Sequence, residues 1–241
     1  MPNGHQLLPR GDSHRGLGYQ ALIADWMTWL VMENPDYNND GPVVYLRGLD
    51  FTPASGSYSN FIRTGTDRFV IGLDQAIFWP LIMYFVDEKH HQNAENAHKR
   101  LLQVTNLMNN GQVPVENDAK IKYNNGPWQP ISNAGYADYR FISDREVDLE
   151  LASQEYDNPK NLCPYFDVPL IHSGLTRCRV AGYFLLLTFN QEGKYTIMSH
   201  GVGEMNYRTN TLVEIEVMDQ ARVNASRMVV QVQKTWKATH P

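Results

Sequence analysis

The chain has 241 residues, 42% of them hydrophobic, 11% aromatic and 20% charged, with a formal net charge of −5 at pH 7. This make-up excludes a disordered or fibrous chain. The acidic balance, with no basic cluster beyond His98-Lys99-Arg100, excludes a protein that grips nucleic-acid phosphates, because such proteins concentrate positive charge on one face. A chain this long hides roughly 70–75% of its unfolded surface on folding, so it needs neither metal nor disulfide merely to stay folded.

No run of about 18 apolar residues occurs, so no membrane span is expected, and Met1-Pro2-Asn3-Gly4-His5-Gln6 does not read as a secretory leader. The reading is a flexible arm over residues 1–18, rich in Gly and Pro, followed by a single β-rich domain over 19–241. The arm is too poor in apolar residues to fold alone, so its order depends on docking against the body or a neighbouring copy, and the same holds for the tail from Lys234 to Pro241.

A first helix is predicted near 19–33, where Leu22, Ile23, Trp26, Trp29 and Leu30 recur at helical spacing before Pro35 ends it. Its tryptophans read as a core stripe rather than a ligand platform. From Gly41 the pattern turns to short β runs: Val43–Leu46, Phe69–Ile71, and Ala76–Val86 interrupted by Pro80. A second helix is predicted near 88–109, with Ala94, Ala97, Leu101, Leu102, Leu107 and Met108 on one side and Asn109-Asn110-Gly111 ending it. Strands are then expected at Lys120–Tyr123, Tyr136–Ile142, Glu146–Leu151, Ala181–Phe189, Tyr195–Ser199, Thr211–Val217 and Met228–Val232. The fold class is therefore mainly β, an antiparallel β-sandwich of jelly-roll or immunoglobulin-like type with two accessory α-helices. Phe184, Leu186, Ile197, Val213, Ile215 and Val217 are expected in its core.

Several short motifs carry a resemblance. Trp26-x-x-Trp29, then Gly41-Pro42-Val43-Val44-Tyr45-Leu46-Arg47-Gly48, Arg63-Thr64-Gly65-Thr66 and Ile77-Phe78-Trp79-Pro80-Leu81-Ile82 resemble, in order, the W-x-x-W, G-P-V-W-F-L-A-G, R-x-C-x-V-P and F-F-P-I segments of an uncharacterised group of bacterial secreted proteins. Ala181–Leu187 followed by Gly193–Ile197 is similar to that group's G-Y-x-x-x-L…G-x-H-x-I hairpin. The resemblance implies a mainly β fold and no known activity. Where the group carries two cysteines, this chain has Asn/Asp and Gly65, and where the group's hairpin has His this chain has Tyr195. Those departures remove the implied disulfide and imidazole, and point to a different compartment or to a virion or assembled surface component.

Among motifs that carry chemistry, Asp36-Tyr37-Asn38-Asn39-Asp40-Gly41 copies the first six positions of a calcium loop, so Asp36, Asn38 and Asp40 are the candidate metal ligands. The twelfth position is Arg47, which excludes an EF-hand and leaves either a short calcium loop or a polar turn. Asp87, His91, Glu95 and His98 fall along one face of the second helix, either as half of a carboxylate-bridged metal site or, preferably, as a solvated charged surface. Asp144, Glu146, Asp148 and Glu150 alternate with other residues on a strand. Neighbouring carboxylates there would lie about 6.5–7 Å apart, as in glycoside hydrolysis or as an acidic edge that discourages aggregation. Cys163 and Cys178 are the only cysteines; they form either a pair or two buried thiols, and a thiol–imidazole pairing of Cys163 with His172 has only the residue types in its favour. No Gly-x-Ser-x-Gly elbow or phosphate-binding Gly loop occurs.

The expected function is accordingly a non-enzymatic binding or assembly protein, extracellular, at a cell surface or in a virion, working as a homo-oligomer or larger assembly. The alternative is a secreted polysaccharide-acting hydrolase or lyase that uses the acidic strand with Tyr136, Tyr139 and Trp128 around a carbohydrate.

Overall fold

The structure, a computed structural model, describes residues 4–31, 41–46, 51–52, 67–87, 116–148, 175–202 and 208–225. The expected helix at 88–109, the Met228–Val232 strand and the C-terminal tail lie outside the described residues.

The chain opens with β1 (His5–Leu7) and a small hairpin of β2 (Ser13–His14) and β3 (Leu17–Gly18), then enters α1 (Tyr19–Val31). Residues 4–17 dock on their own chain. β1 pairs antiparallel with Leu187–Phe189, and Arg15 and His14 of the hairpin both bond Asp74, Arg15 through the Asp74 carboxylate and His14 Nε2 at 3.1 Å from its carbonyl oxygen. Leu22, Ile23, Trp26 and Met27 are fully buried and Trp29 half-buried, so the tryptophan stripe is core.

Two sheets follow. The first holds β4 (Val43–Tyr45), β7 (Ala76–Asp87), β10 (Arg140–Asp148) and β11 (Leu175–Phe189), in the order β1-β11-β7-β4, with β10 also on β11. The second holds β5 (Phe51–Thr52), β6 (Asp67–Gly72), β8 (Glu116–Tyr123), β9 (Gln129–Pro130), β12 (Gly193–Val202) and β13 (Arg208–Met218), in the order β5-β13-β12-β8-β9, with β6 also on β13. Each sheet is antiparallel except for one pair, β4 with β7 and β6 with β13, which run parallel. Residues 220–225 add a short helical turn, α2.

The first sheet is apolar on both faces because it is covered on both. Phe78, Phe184 and Leu186 face α1, in a cluster where Trp26 meets Phe184 edge-on at 5.5 Å and Tyr19 stacks on Phe141 at 4.7 Å. Ile77, Trp79, Leu185 and Leu187 face the second sheet and meet Ile121, Tyr195, Ile197, Val213, Ile215 and Val217. The near-continuous hydrophobic runs of β7 and β11 follow from this double burial. All six residues expected in the core are buried.

Pro80 does not break β7. It sits past the Val43–Tyr45 pairing with β4, at the irregularity where Phe184 faces Pro80 and Tyr183 faces Ile82, so the missing N–H falls at a bulge.

Four sequence expectations change. Tyr136 is not in a strand: Ala137–Tyr139 form a single 3-10 turn, because Gly135 turns the chain at φ 78° and the Tyr136 ring inserts between the sheets, where its hydroxyl donates to the Ala119 carbonyl at 3.0 Å. The strands expected at Tyr136–Ile142 and Glu146–Leu151 are one strand, β10, since Ser143-Asp144-Arg145 stay in register with Val180, Arg179 and Cys178. Asp87 ends β7 instead of opening a helix. Lastly, β11 and β12 are no hairpin: the chain changes sheets through Asn190-Gln191-Glu192, and β12 pairs with β8 and β13.

Candidate functional site

The sheet change is pinned by tyrosines. The Tyr195 hydroxyl bonds the carbonyls of Gly4 at 3.1 Å and Gln191 at 2.9 Å, the Tyr123 hydroxyl donates to the Glu192 carbonyl at 2.9 Å, and Gln191 Nε2 donates to Tyr123 at 3.0 Å. Gly193 has φ 144°, and a Cβ there would lie 2.5 Å from the Tyr123 ring, so glycine is required. Burial, then the neighbouring Tyr123, pushes the Tyr195 hydroxyl up to about 12. Burial likewise raises Tyr19, Tyr136 and Tyr139. The Tyr19, Tyr136 and Tyr195 hydroxyls stay protonated and serve as donors that hold the frame.

The sequence candidates are dispersed. Asp36, Asn38 and Asp40 lie outside the described residues, as do His91, Glu95, His98, Glu150, Cys163 and His172. Of the calcium motif only Gly41 is described, and its carbonyl accepts a bond from Gln75 Nε2 at 2.6 Å. Asp144 and Glu146 stand opposite Arg179 and Arg177 in the β10–β11 register. Of the aromatics expected with them, Tyr136 is core between the sheets, Tyr139 packs against both clusters, and Trp128 lies beside Lys122 of the other sheet. Among the described residues no three His, Cys, Asp or Glu side chains gather as a metal site, and no helix is long and apolar enough to cross a membrane.

The outer face of the second sheet stands apart. The strands that form it alternate: Ile121, Ile197, Val213 and Ile215 point into the core while Lys120, Lys122, Thr196, Met198, Leu212 and Glu214 point outward. Of the five exposed large hydrophobic residues among the described ones, Val70, Trp128, Met198 and Leu212 lie on this face. Met198 and Leu212, 37% and 42% exposed, are direct cross-strand partners. Charges surround them: Lys120 pairs with Asp118 at 2.7 Å, and the Lys122 ammonium lies 5.1 Å from the centre of the exposed Trp128 ring. No known family, curated protein or solved structure matches the chain.

Sequence reasoning missed this face because each of its residues sits singly in an alternating strand. Only the register brings Met198 beside Leu212, and Trp128 beside Lys122. The alternation of β12 and β13 did carry a signal, since Met198 and Leu212 occupy positions that the pattern reserves for polar residues.

Proposed function

We propose that this chain is a non-enzymatic binding or assembly protein, of a cell surface, the extracellular space or a virus particle, whose working surface is the outer face of the second sheet. One observation carries the reading: the face opposite the core holds four of the five exposed large hydrophobics among the described residues, interleaved with charges. A sheet face with Met, Leu and Trp in water loses about 25 cal/mol for each Å² of apolar surface left uncovered, so a partner that covers them gains it back. Aromatic and Met residues among charged neighbours are also the composition of contact surfaces. By contrast, the alternative hydrolase needs carboxylates beside aromatics, and Trp128 lies beside Lys122 of the second sheet while the acidic strand β10 is in the first.

The test compares the parent with a Met198→Lys/Leu212→Lys variant by sedimentation velocity up to several hundred micromolar, and by titration with soluble oligosaccharides. The expected result is association or glycan binding by the parent that the variant loses while keeping its far-UV circular dichroism. A parent that does neither, or a variant that behaves as the parent does, overturns the reading.

A further inference from the structure

We infer that the partner of this face is a second copy of the chain, docked face to face about a two-fold axis that runs along β12; the inference rests on the working surface proposed above. Reading across the outer face at the level of Thr196, the ladder places Lys122 on one side and Glu214 on the other, with Arg68 in register with Glu214, and the Trp128 ring lies beside Lys122. The row thus runs Lys122, Thr196, Glu214, Arg68.

A two-fold axis parallel to β12 and lying in the contact plane reverses that row over itself. Lys122 then stands over the second copy's Glu214, and Thr196 over Thr196. Two cation–carboxylate contacts result from one chain's own sequence, which is the self-complementarity that an isologous dimer requires. At the next level Met198 meets Met198, with Leu212 over the stem of Lys120. A neutral residue occupies the axis at both levels.

The size of the patch sets the strength. Four or five strands at about 4.8 Å spacing and six residues at about 3.3 Å make a face of roughly 20 by 20 Å, on the order of 400 Å² in projection for each copy. That is below the roughly 800 Å² per partner of a standard stable interface, so the dimer is weak and reversible.

Charge reversal tests it. Sedimentation equilibrium of the parent, Lys122→Glu, Glu214→Lys and the Lys122→Glu/Glu214→Lys double variant is measured over a range extending to several hundred micromolar, in low and high salt. The parent is expected to dimerise, each single reversal to weaken the dimer about tenfold or more through its two symmetric contacts, and the double reversal to restore it. Raised salt should weaken the parent dimer. A monomeric parent overturns the inference. So does a double variant no better than the singles; if Met198→Lys/Leu212→Lys still abolishes association, that outcome leaves the face as the contact surface and removes only the β12 two-fold.

Discussion

Trp26 and Trp79 form a matched pair that tests the description of the core. Both are fully buried, on opposite faces of the first sheet. Trp26 Nε1 donates to the Leu46 carbonyl at 2.9 Å, whereas Trp79 Nε1 is buried with no hydrogen-bond partner among the described residues. Replacing either by Phe removes the same atoms, so the loss of packing cancels to first order in the comparison. At 26 the change also leaves the Leu46 carbonyl unpaired, which costs about 1–3 kcal/mol. At 79 it removes an orphan donor whose desolvation already costs the parent about 1–3 kcal/mol. Trp26→Phe is therefore expected to be less stable than Trp79→Phe by roughly 2–6 kcal/mol, and its melting temperature lower by at least about 4 °C for a chain of this size. Urea unfolding followed by far-UV circular dichroism avoids the altered fluorescence of both variants. Equal losses, or a greater loss for Trp79→Phe, would refute the assignment of these two indole environments.

Tyr195→Phe removes the hydroxyl that joins Gly4 to Gln191, and should cost about 1–3 kcal/mol and speed hydrogen exchange at the Leu8 amide, which bonds the Leu186 carbonyl; unchanged exchange there contradicts the pin. Gly193→Ala forces a Cβ toward the Tyr123 ring at φ 144° and should lower the melting temperature by several degrees, on the order of 1–3 kcal/mol; a melting temperature equal to the parent's counts against the tight sheet change. The raised tyrosines set an alkaline limit. The unfolded chain releases these protons near pH 10 while folded Tyr195 holds its own to about 12, so stability is level below pH 10 and falls as pH rises toward 12. The urea midpoint between pH 9 and 12 checks this, and a flat profile there denies the burial of these hydroxyls. For the Asp36, Asn38 and Asp40 loop, calcium titrated into chelator-treated protein should raise the melting temperature with the logarithm of concentration and fail to do so in Asp40→Ala; no response at millimolar calcium makes the loop a polar turn.

The sequence carried the layers further than the connections. Periodicity located α1 through Leu22, Ile23 and Trp26, and alternation located β12 and β13 with Ile197, Val213 and Ile215 inward, because half-buried elements print their burial into every second or fourth residue. It could not tell that β7 and β11, apolar on both faces, lie between a helix and a sheet, since a doubly buried strand has no polar side to mark its orientation. Nor could it place Tyr136, whose polar tip needed a carbonyl that only the fold supplies, at Ala119. The outer face of the second sheet was hidden for the same reason: Lys122, Thr196 and Glu214 come from separate strands, and register is a property of the pairing rather than of any one segment.

Hydroxyl-radical footprinting as a function of protein concentration tests most directly whether the outer face of the second sheet is the contact between copies, because Met198 and Trp128 are oxidisable side chains on that face. The account predicts that oxidation of Met198 and Trp128 falls as concentration rises into the hundreds of micromolar, while oxidation of the half-buried Trp29, on α1 at the other side of the molecule, stays constant. Labelling of Met198 and Trp128 that does not change across that range would contradict it.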